Sequence, residues 1–190
     1  LFRGELDSYS ISDSVSVEAR GISDGKIGYA TSEKFDSTTP EYLVSHIKQN
    51  AALTSSDDPG LIFRGSEKYR RKNVFSKKLH EAGPDEKIRL MKDFYSAVTK
   101  KSEKIQEVEI SYEESEEAVT LTNSYGLKLS SKVNYAVVFA QAVATDETGE
   151  TKSGMVFRIL SDLADFDAEE TASKLVDDTI RQFGSGPCDS

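Results

Sequence analysis

The residue types that carry most enzyme chemistry are scarce in this sequence. Its 190 residues contain two histidines, His46 and His80, and one cysteine, Cys188. A helical metallopeptidase site needs a second His one turn after its His-Glu pair, but His80-Glu81 is followed by Pro84, which would break that helix. Two histidines and one cysteine also leave little material for a zinc site. We therefore expect no catalytic residue, no metal ligand and no cofactor site within these positions.

Two other motifs fail on spacing. Three residues separate Gly21 from Gly25, where a phosphate-binding loop needs four, and Ile27 lacks the hydroxyl that would bind magnesium. The run 184–186 reads Gly-Ser-Gly and is too short for the turn that carries a hydrolase serine. Cys188 lies near the end of the chain, where we expect too little support for a nucleophile.

The charge balance argues against a general nucleic-acid binder. There are 33 acidic and 24 basic residues, which gives a net charge of −9. Residues 64–78 form a basic run in which Glu67 is the one acidic residue. We interpret this run as a solvated surface, with Arg70, Arg71 and Lys72 as candidate anion contacts.

The composition is that of a soluble domain. Apolar residues make up 37% of the chain and charged residues 30%, and no apolar run approaches the roughly 20 residues of a membrane helix. A lone cysteine excludes an intrachain disulfide and points to a reducing compartment, so we expect a cytoplasmic protein without a membrane partner.

The first part of the chain has the pattern of strands. Ser8–Val17 alternates apolar residues with serine and predicts one strand, and Val17–Ile22 predicts a second. Asp24 and Gly25 follow, and both tolerate the positive φ of a tight hairpin turn. We expect the chain to return as the second arm of a β-hairpin.

Two helices and an irregular segment come next. A first helix is predicted near Pro40, with a capping box formed by Thr38 and Glu41. Residues 54–83, which begin with Ser55, Ser56, Asp57, Asp58, Pro59 and Gly60, are interpreted as an irregular segment. A second helix is predicted from Pro84, and its buried stripe is Ile88, Met91, Tyr95 and Val98.

The last part of the chain predicts a sheet and a closing helix. Alternation predicts strands at 105–113, 119–123, 127–133, 135–143 and around 155–159, with a turn from Asn123 to Gly126. The closing helix has a capping box at Asp167 and Glu170, and it ends near Gly184. The predicted fold class is α+β, with a mainly antiparallel sheet and helices packed on one face.

The order of these strands and turns resembles a known family. The segment Tyr9–Ala30, with a helix opening near Pro40, looks like the N-terminal domain of the TldD/PmbA family. Thr122–Leu127 resembles that family's Asn-Ser-x-Gly turn between two strands, and the likeness covers almost the whole chain. The amino-acid sequence of Ser23–Ala30 resembles the PmbA (TldE) type more than the TldD type.

The resemblance implies a domain organisation. Residues 1–184 would form a single N-terminal domain, made of first strands and helix (1–53), an irregular basic segment (54–83) and a helix-sheet-helix region (84–184). Residues 185–190 would lead to a missing C-terminal domain. In this family the TldD-type subunit carries zinc through a His-Glu-x-x-x-His motif beyond this region, so zinc is expected in the partner subunit or the missing domain.

The resemblance also implies a function. The family comprises cytoplasmic proteins often described as modulators of DNA gyrase, whose TldD and PmbA subunits form a peptidase complex. This chain would be a non-catalytic domain that acts in proteolysis or peptide maturation. It would help to wall a chamber for unfolded peptide and would contact a second TldD/PmbA-type subunit, as a homodimer or a heterodimer.

Two alternatives stay open. The chain could be a DNA- or gyrase-associated binding module that uses residues 64–78, in which case DNA binding would be salt-sensitive and lost when Arg70, Arg71 and Lys72 become Glu. It could also be a free-standing α+β binding domain unrelated to peptidases.

Overall fold

The computed structural model describes residues 1–55 and 60–185. The predicted Ser56, Asp57, Asp58 and Pro59 of the irregular segment, and Cys188, lie outside the described residues. The elements in chain order are β1 Val17–Ser23, β2 Lys26–Ser32, α1 Thr39–Leu53, α2 Lys77–Glu81, α3 Pro84–Lys101, β3 Ile105–Thr122, β4 Lys128–Thr145, β5 Thr151–Leu160, a 3-10 turn Leu163–Asp165 and α4 Ala168–Ile180. The sheets are antiparallel and the predicted α+β class is confirmed.

These residues form two compact units, one of which comprises residues 10–70 and 121–129. Its sheet is the β1–β2 hairpin, in which Ser23 lies opposite Lys26. The predicted strand at Ser8–Val17 is wrong over most of its length, because residues 6–16 form neither strand nor helix. The alternating apolar residues of that run are exposed, so they supply no buried face to hold a strand in place.

Helix α1 packs on this hairpin. Gly28 makes the close approach possible, because a Cβ at that position would overlap the carbonyl oxygen of Ile47. The predicted capping box is wrong, since the Thr38 side chain caps no backbone N–H of the helix. Instead the Asp36 carboxylate accepts from the Thr38 N–H at 2.8 Å and from its hydroxyl at 2.6 Å, and this arrangement closes the turn that leads into the helix.

The other unit comprises residues 1–9, 71–120 and those from 130 onward, and its sheet has the order β3-β4-β5. Strands β3 and β4 contain 18 residues each. Each is one continuous strand where the sequence pattern predicted two. The acidic run Glu113–Glu117 contains neither Gly nor Pro, so the extended backbone continues through it although its side chains leave the core.

Helices α3 and α4 cover one face of this sheet, which we call the inner face. The predicted α3 stripe is present, with Met91 and Val98 buried, but its centre is the fully buried Phe94, which the prediction omitted. The Asp167 carboxylate accepts from the Glu170 N–H at 2.9 Å and caps α4. In the ranges 1–55 and 60–185, no helix is both long and apolar enough to cross a bilayer.

Candidate functional site

The face of the sheet opposite α3 and α4 carries large apolar side chains. We call the set Tyr135, Val137, Phe139, Met155, Phe157 and Ile159 the outer apolar stripe. In strand β5 its members Met155, Phe157 and Ile159 are 67%, 63% and 67% exposed. They alternate with Val156 and Leu160, which are buried in the core. This face therefore offers an apolar surface where an antiparallel sheet more often carries polar residues.

Strand β5 is also an edge of the described sheet. Two side chains reach the carbonyl groups at this edge: Gln182 Nε2 donates to Ser153 O at 2.9 Å, and Arg158 Nη1 donates to Phe157 O at 3.0 Å. On the opposite edge, the Ile110 N–H donates to Leu1 O at 2.9 Å. An edge strand presents backbone groups that an extended peptide can pair with, so β5 is the strand that could accept one.

A polar cluster lies on the inner face, around His80. His80 Nδ1 is 2.6 Å from Glu116 Oε2, and Lys132 Nζ is 2.7 Å from Glu116 Oε1. The Lys132 ammonium also lies 4.1 Å from the centre of the Phe75 ring. The hydrogen bond from Lys132, followed by that from His80, lowers the pKa of the Glu116 carboxyl below its ordinary value. The cluster is thus an ion network with an ionised carboxylate at its centre.

The segment that carries His80 is anchored independently. The Ser76 N–H donates to Asn134 Oδ1 at 2.7 Å, and Asn134 Nδ2 donates back to Ser76 O at 2.9 Å. Ser76 Oγ accepts from the Leu79 N–H and so caps helix α2, while the Leu79 side chain is fully buried. These contacts hold the segment around His80 against the sheet independently of the hydrogen bond between the His80 ring and Glu116.

A second ion pair extends the polar cluster along β3. Lys87 Nζ lies 2.7 Å from Glu114 Oε2, and the Tyr112 hydroxyl donates to the same oxygen at 2.6 Å. Burial, and then the neighbouring Glu114 carboxylate, raise the pKa of Tyr112 well above its usual range. Tyr112 is thus held in its protonated form, in which it stabilises the carboxylate.

The fit of this cluster to a metal ion is poor. The Glu116 carboxylate already accepts from both His80 and Lys132, so a cation there would have to displace an ammonium group. Within the part of the chain that the structure describes, no group of three or more His, Cys, Asp or Glu side chains could hold a metal. His46 makes a local contact instead, with its Nδ1 lying 2.8 Å from Tyr42 O in α1.

The predicted basic run is partly engaged within the protein. Lys77 pairs with Glu81 at 3.4 Å, Lys78 pairs with Asp162 at 3.0 Å, and the Arg64 guanidinium lies 4.9 Å from the centre of the Tyr125 ring. The candidate anion contacts Arg70, Arg71 and Lys72 are exposed and belong to no helix or strand. The run therefore offers less positive charge to a ligand than its composition indicates.

The four predicted turn residues lie at the two hairpin turns. Asp24 and Gly25 have φ values of 50° and 77°, the left-handed region that a two-residue hairpin turn uses. The Asn123 side chain accepts from the Tyr125 N–H at 3.0 Å and from the Leu127 N–H at 3.1 Å. Gly126 has a φ of 84°. These residues position strands and carry no chemistry of their own.

Sequence reasoning missed the outer apolar stripe, Glu116 and Lys132. Met155, Phe157 and Ile159 were interpreted as strand residues, and the signal that could have exposed the stripe is that β5 is apolar at successive positions on both faces. The pairing of Glu116 with Lys132 could have been inferred from the Asn123–Leu127 turn, because this turn makes β3 and β4 antiparallel neighbours.

Comparison with known proteins defines the class of this domain. A family model described as "PmbA/TldA metallopeptidase central domain" matches residues 77–183, which cover α2 to α4 and the whole three-stranded sheet. The chain therefore contains a domain of a metallopeptidase family. More particularly, it belongs to the TldD/PmbA family, and the resemblance seen in its strands and turns is confirmed. A comparison with curated proteins found no match.

Solved structures share the fold. A Thermotoga maritima protein named as a proposed modulator of a DNA gyrase superposes with a TM-score of 0.85 at 23% identity, over 100% of this chain and 42% of that chain. A protein of the same description from Bacteroides thetaiotaomicron gives 0.73 at 18% identity, over 91% and 40%. TldE from Thermococcus kodakarensis gives 0.73 at 21%, over 91% and 39%. This chain thus spans about two fifths of the length of these solved chains.

Proposed function

We propose that this chain is a non-catalytic N-terminal part of a TldD/PmbA-type peptidase subunit, that its residues 77–183 form the central domain of that subunit, and that it acts in the cytoplasm in proteolysis or peptide maturation. The observation that carries the proposal is the match of residues 77–183 to the central domain of a metallopeptidase family. The zinc of the peptidase would be held by a partner subunit or by another domain, since the polar cluster around Glu116 does not suit a metal.

The outer face of the sheet supports a role in walling a substrate chamber. An unfolded peptide binds by backbone hydrogen bonds, which a sheet edge supplies without selecting a sequence. Strand β5 combines such an edge with the exposed side chains of Met155, Phe157 and Ile159, which can contact apolar residues of the peptide. The proposed ligand is therefore an extended, unfolded peptide, and the proposed partner is a second TldD/PmbA-type subunit.

The proposal is tested by measuring zinc content and peptidase activity of the purified 190-residue chain. We expect zinc well below one equivalent and no cleavage of an unfolded peptide, with a zinc metallopeptidase as the positive control in the same assay. Stoichiometric zinc together with turnover would refute the non-catalytic role. In that event, Glu116→Gln, with Glu117→Gln at the next position as its matched control, would show whether the polar cluster is responsible for the zinc binding and the activity.

A further inference from the structure

The first residues of the chain form a short strand on the β3 edge of the sheet. The Leu1 nitrogen donates to Ile110 O at 2.7 Å, and the Ile110 N–H donates back to Leu1 O at 2.9 Å. Arg3 continues this antiparallel ladder, because its N–H donates to Val108 O at 3.4 Å. The Leu1 side chain packs against the core of the unit. Leu1 therefore has the environment of a residue inside a strand, with both of its backbone groups paired to β3.

A tight turn follows this strand. The Phe2 N–H donates to Glu5 O and the Glu5 N–H donates to Phe2 O, each at 3.0 Å. Arg3 and Gly4 between them have φ values of 49° and 82°, the conformation of a two-residue hairpin turn. A Cβ added at Gly4 would lie 2.9 Å from the Tyr95 ring of α3, so the turn lies directly against that helix. The chain thus leaves the turn as the second arm of a β-hairpin, whose first arm is the strand that contains Leu1.

The second arm and the β3 edge both lack a strand partner within the described residues. Beyond Glu5, residues 6–9 belong to no strand, and the Leu6 and Tyr9 side chains are 47% and 59% exposed. Along the β3 edge, the backbone pairs of the described chain end at Ile110, although β3 itself continues. The first arm of the hairpin lies between β3 and the second arm, so the two open edges are separated by the width of one strand.

We propose that the residues preceding Leu1 in the whole protein form a strand that fills this place, antiparallel both to β3 and to the second hairpin arm. The strand direction at Leu1 leads into the gap, and the Leu1 nitrogen already makes the bond that a backbone amide would make there. This chain spans about two fifths of the length of its solved relatives, so residues outside it are available for this role.

The register of this strand follows from the pairs already present. A strand inside a sheet bonds to its two neighbours through alternate residues. From the pairing of Leu1 with β3, the second and fourth residues before Leu1 pair with Tyr112 and Glu114. From the pairing across the turn, the first and third pair with Asp7 and Tyr9. The second and fourth residues share a face with Leu1, which packs against the core, so we expect apolar side chains there.

The added strand changes which edge of the sheet is open. An unpaired edge strand is a template for unwanted pairing with other chains, and the added strand would cover β3 from Val108 to Glu114. The β5 edge would then be left for the extended peptide of the proposed function. The strand itself does not depend on that function, because its pairing partners lie at the opposite edge.

Amide hydrogen exchange measured by NMR tests the proposal on three forms of the chain. These are the 190 residues alone, the chain extended by about ten native residues upstream of Leu1, and the chain extended by Val-Thr-Val-Thr-Val-Thr. We expect both extensions to slow exchange at the amides of Tyr112, Glu114, Asp7 and Tyr9 by about 10-fold or more. The matched control is the extension Val-Thr-Pro-Thr-Pro-Thr, which lacks the two N–H groups that donate to β3 and should exchange as fast as the unextended chain.

Each result decides for or against the strand. Fast exchange at Tyr112 and Glu114 in the natively extended chain overturns the proposal, as does equal slowing in the proline control. Slow exchange at these amides in the unextended chain also overturns it, and a dependence on protein concentration would then assign the edge to a second copy. The zinc and peptidase measurements use the unextended chain, so failure of the strand and failure of the proposed function are distinguishable.

Discussion

The two faces of the central strand β4 differ in side-chain size. Along β4 the inner face is built from small residues, with Ala136, Ala140, Ala142 and Ala144 all fully buried. The outer face of the same strand carries apolar residues that are larger than alanine, among them Tyr135, Val137 and Phe139. Small side chains let α3 and α4 approach the strands closely, and this approach closes the core.

The large apolar residues of the outer face take no part in packing against α3 and α4, because these helices lie on the opposite face of the sheet. If the outer face served only to meet water, alternation with polar residues would suffice, as in most antiparallel sheets. Instead β5 places Met155, Phe157 and Ile159 outward. The inner face is therefore packed in the core of this unit, whereas the large apolar residues of the outer face are left exposed.

A matched pair of truncations gives the largest expected difference between the faces. Phe94 is fully buried and packs edge-on against Phe166, with ring centres 5.1 Å apart, so Phe94→Ala should lower the free energy of unfolding by about 3–5 kcal/mol. Phe157→Ala on the outer face should change it by less than about 0.5 kcal/mol. Urea denaturation of wild type and both variants measures these values.

Phe94→Leu, which keeps most of the buried volume, is the control and should lose about 1.5 kcal/mol or less. If Phe157→Ala destabilised the monomer as much as Phe94→Ala, the outer face would be packed within the chain itself. The distinction between a packed inner face and an exposed outer face would then fail.

The elements that could be predicted from the sequence are those whose determinants are local. The β1–β2 hairpin follows from Asp24-Gly25, and α3 follows from the spacing of Met91 and Val98. The stripe and the polar cluster depend on which face of a strand meets a helix, and this is decided by residues far away in the chain. His80 and Glu116 are 36 residues apart, so no local pattern joins them.

Errors in the predicted elements have the same physical origin. Ser8–Val17 has the alternation of a strand, but alternation predicts a strand only where one side of it is buried. The Thr38 capping box failed because Asp36, two residues earlier, offers a stronger acceptor to the same turn. In each case the surroundings of the segment, rather than its local pattern, decided the structure.

A second prediction concerns how closely α4 approaches the inner face. A Cβ added at Gly154 of β5 would overlap the Thr179 side chain of α4. Gly154→Ala should therefore lower the free energy of unfolding by about 1–3 kcal/mol. Thr179→Ala removes the overlapping hydroxyl, so the double variant should recover about 1 kcal/mol relative to the sum of the two single variants.

The double-mutant cycle, measured by urea denaturation, separates close approach from the intrinsic preferences of strand and helix. Strictly additive effects would mean that α4 does not constrain position 154. The inner face would then owe its small residues to something other than helix packing, and the contrast with the outer face would lose its explanation.

The smallest predicted effect concerns the polar end of the inner face and its dependence on pH. Lys132 and His80 lower the pKa of Glu116 below its ordinary value of 4.5, so the folded state favours the ionised carboxylate more than the unfolded state does. The resulting stabilisation is fully present above pH 4.5 and is lost as the pH falls through the lower pKa of the folded state. Glu116→Gln should therefore destabilise the chain at neutral pH and progressively less in acid.

Urea denaturation of wild type and Glu116→Gln at a series of pH values from neutral to acid measures this difference. Glu117→Gln, at the next and exposed position on β3, is the matched control and should show little difference at any pH. A Glu116→Gln deficit that stayed constant into acid would show that the side chain acts through packing rather than charge. The polar end of the inner face would then stabilise the fold in the same way as its alanines, and the contrast between the two faces would be one of side-chain size alone.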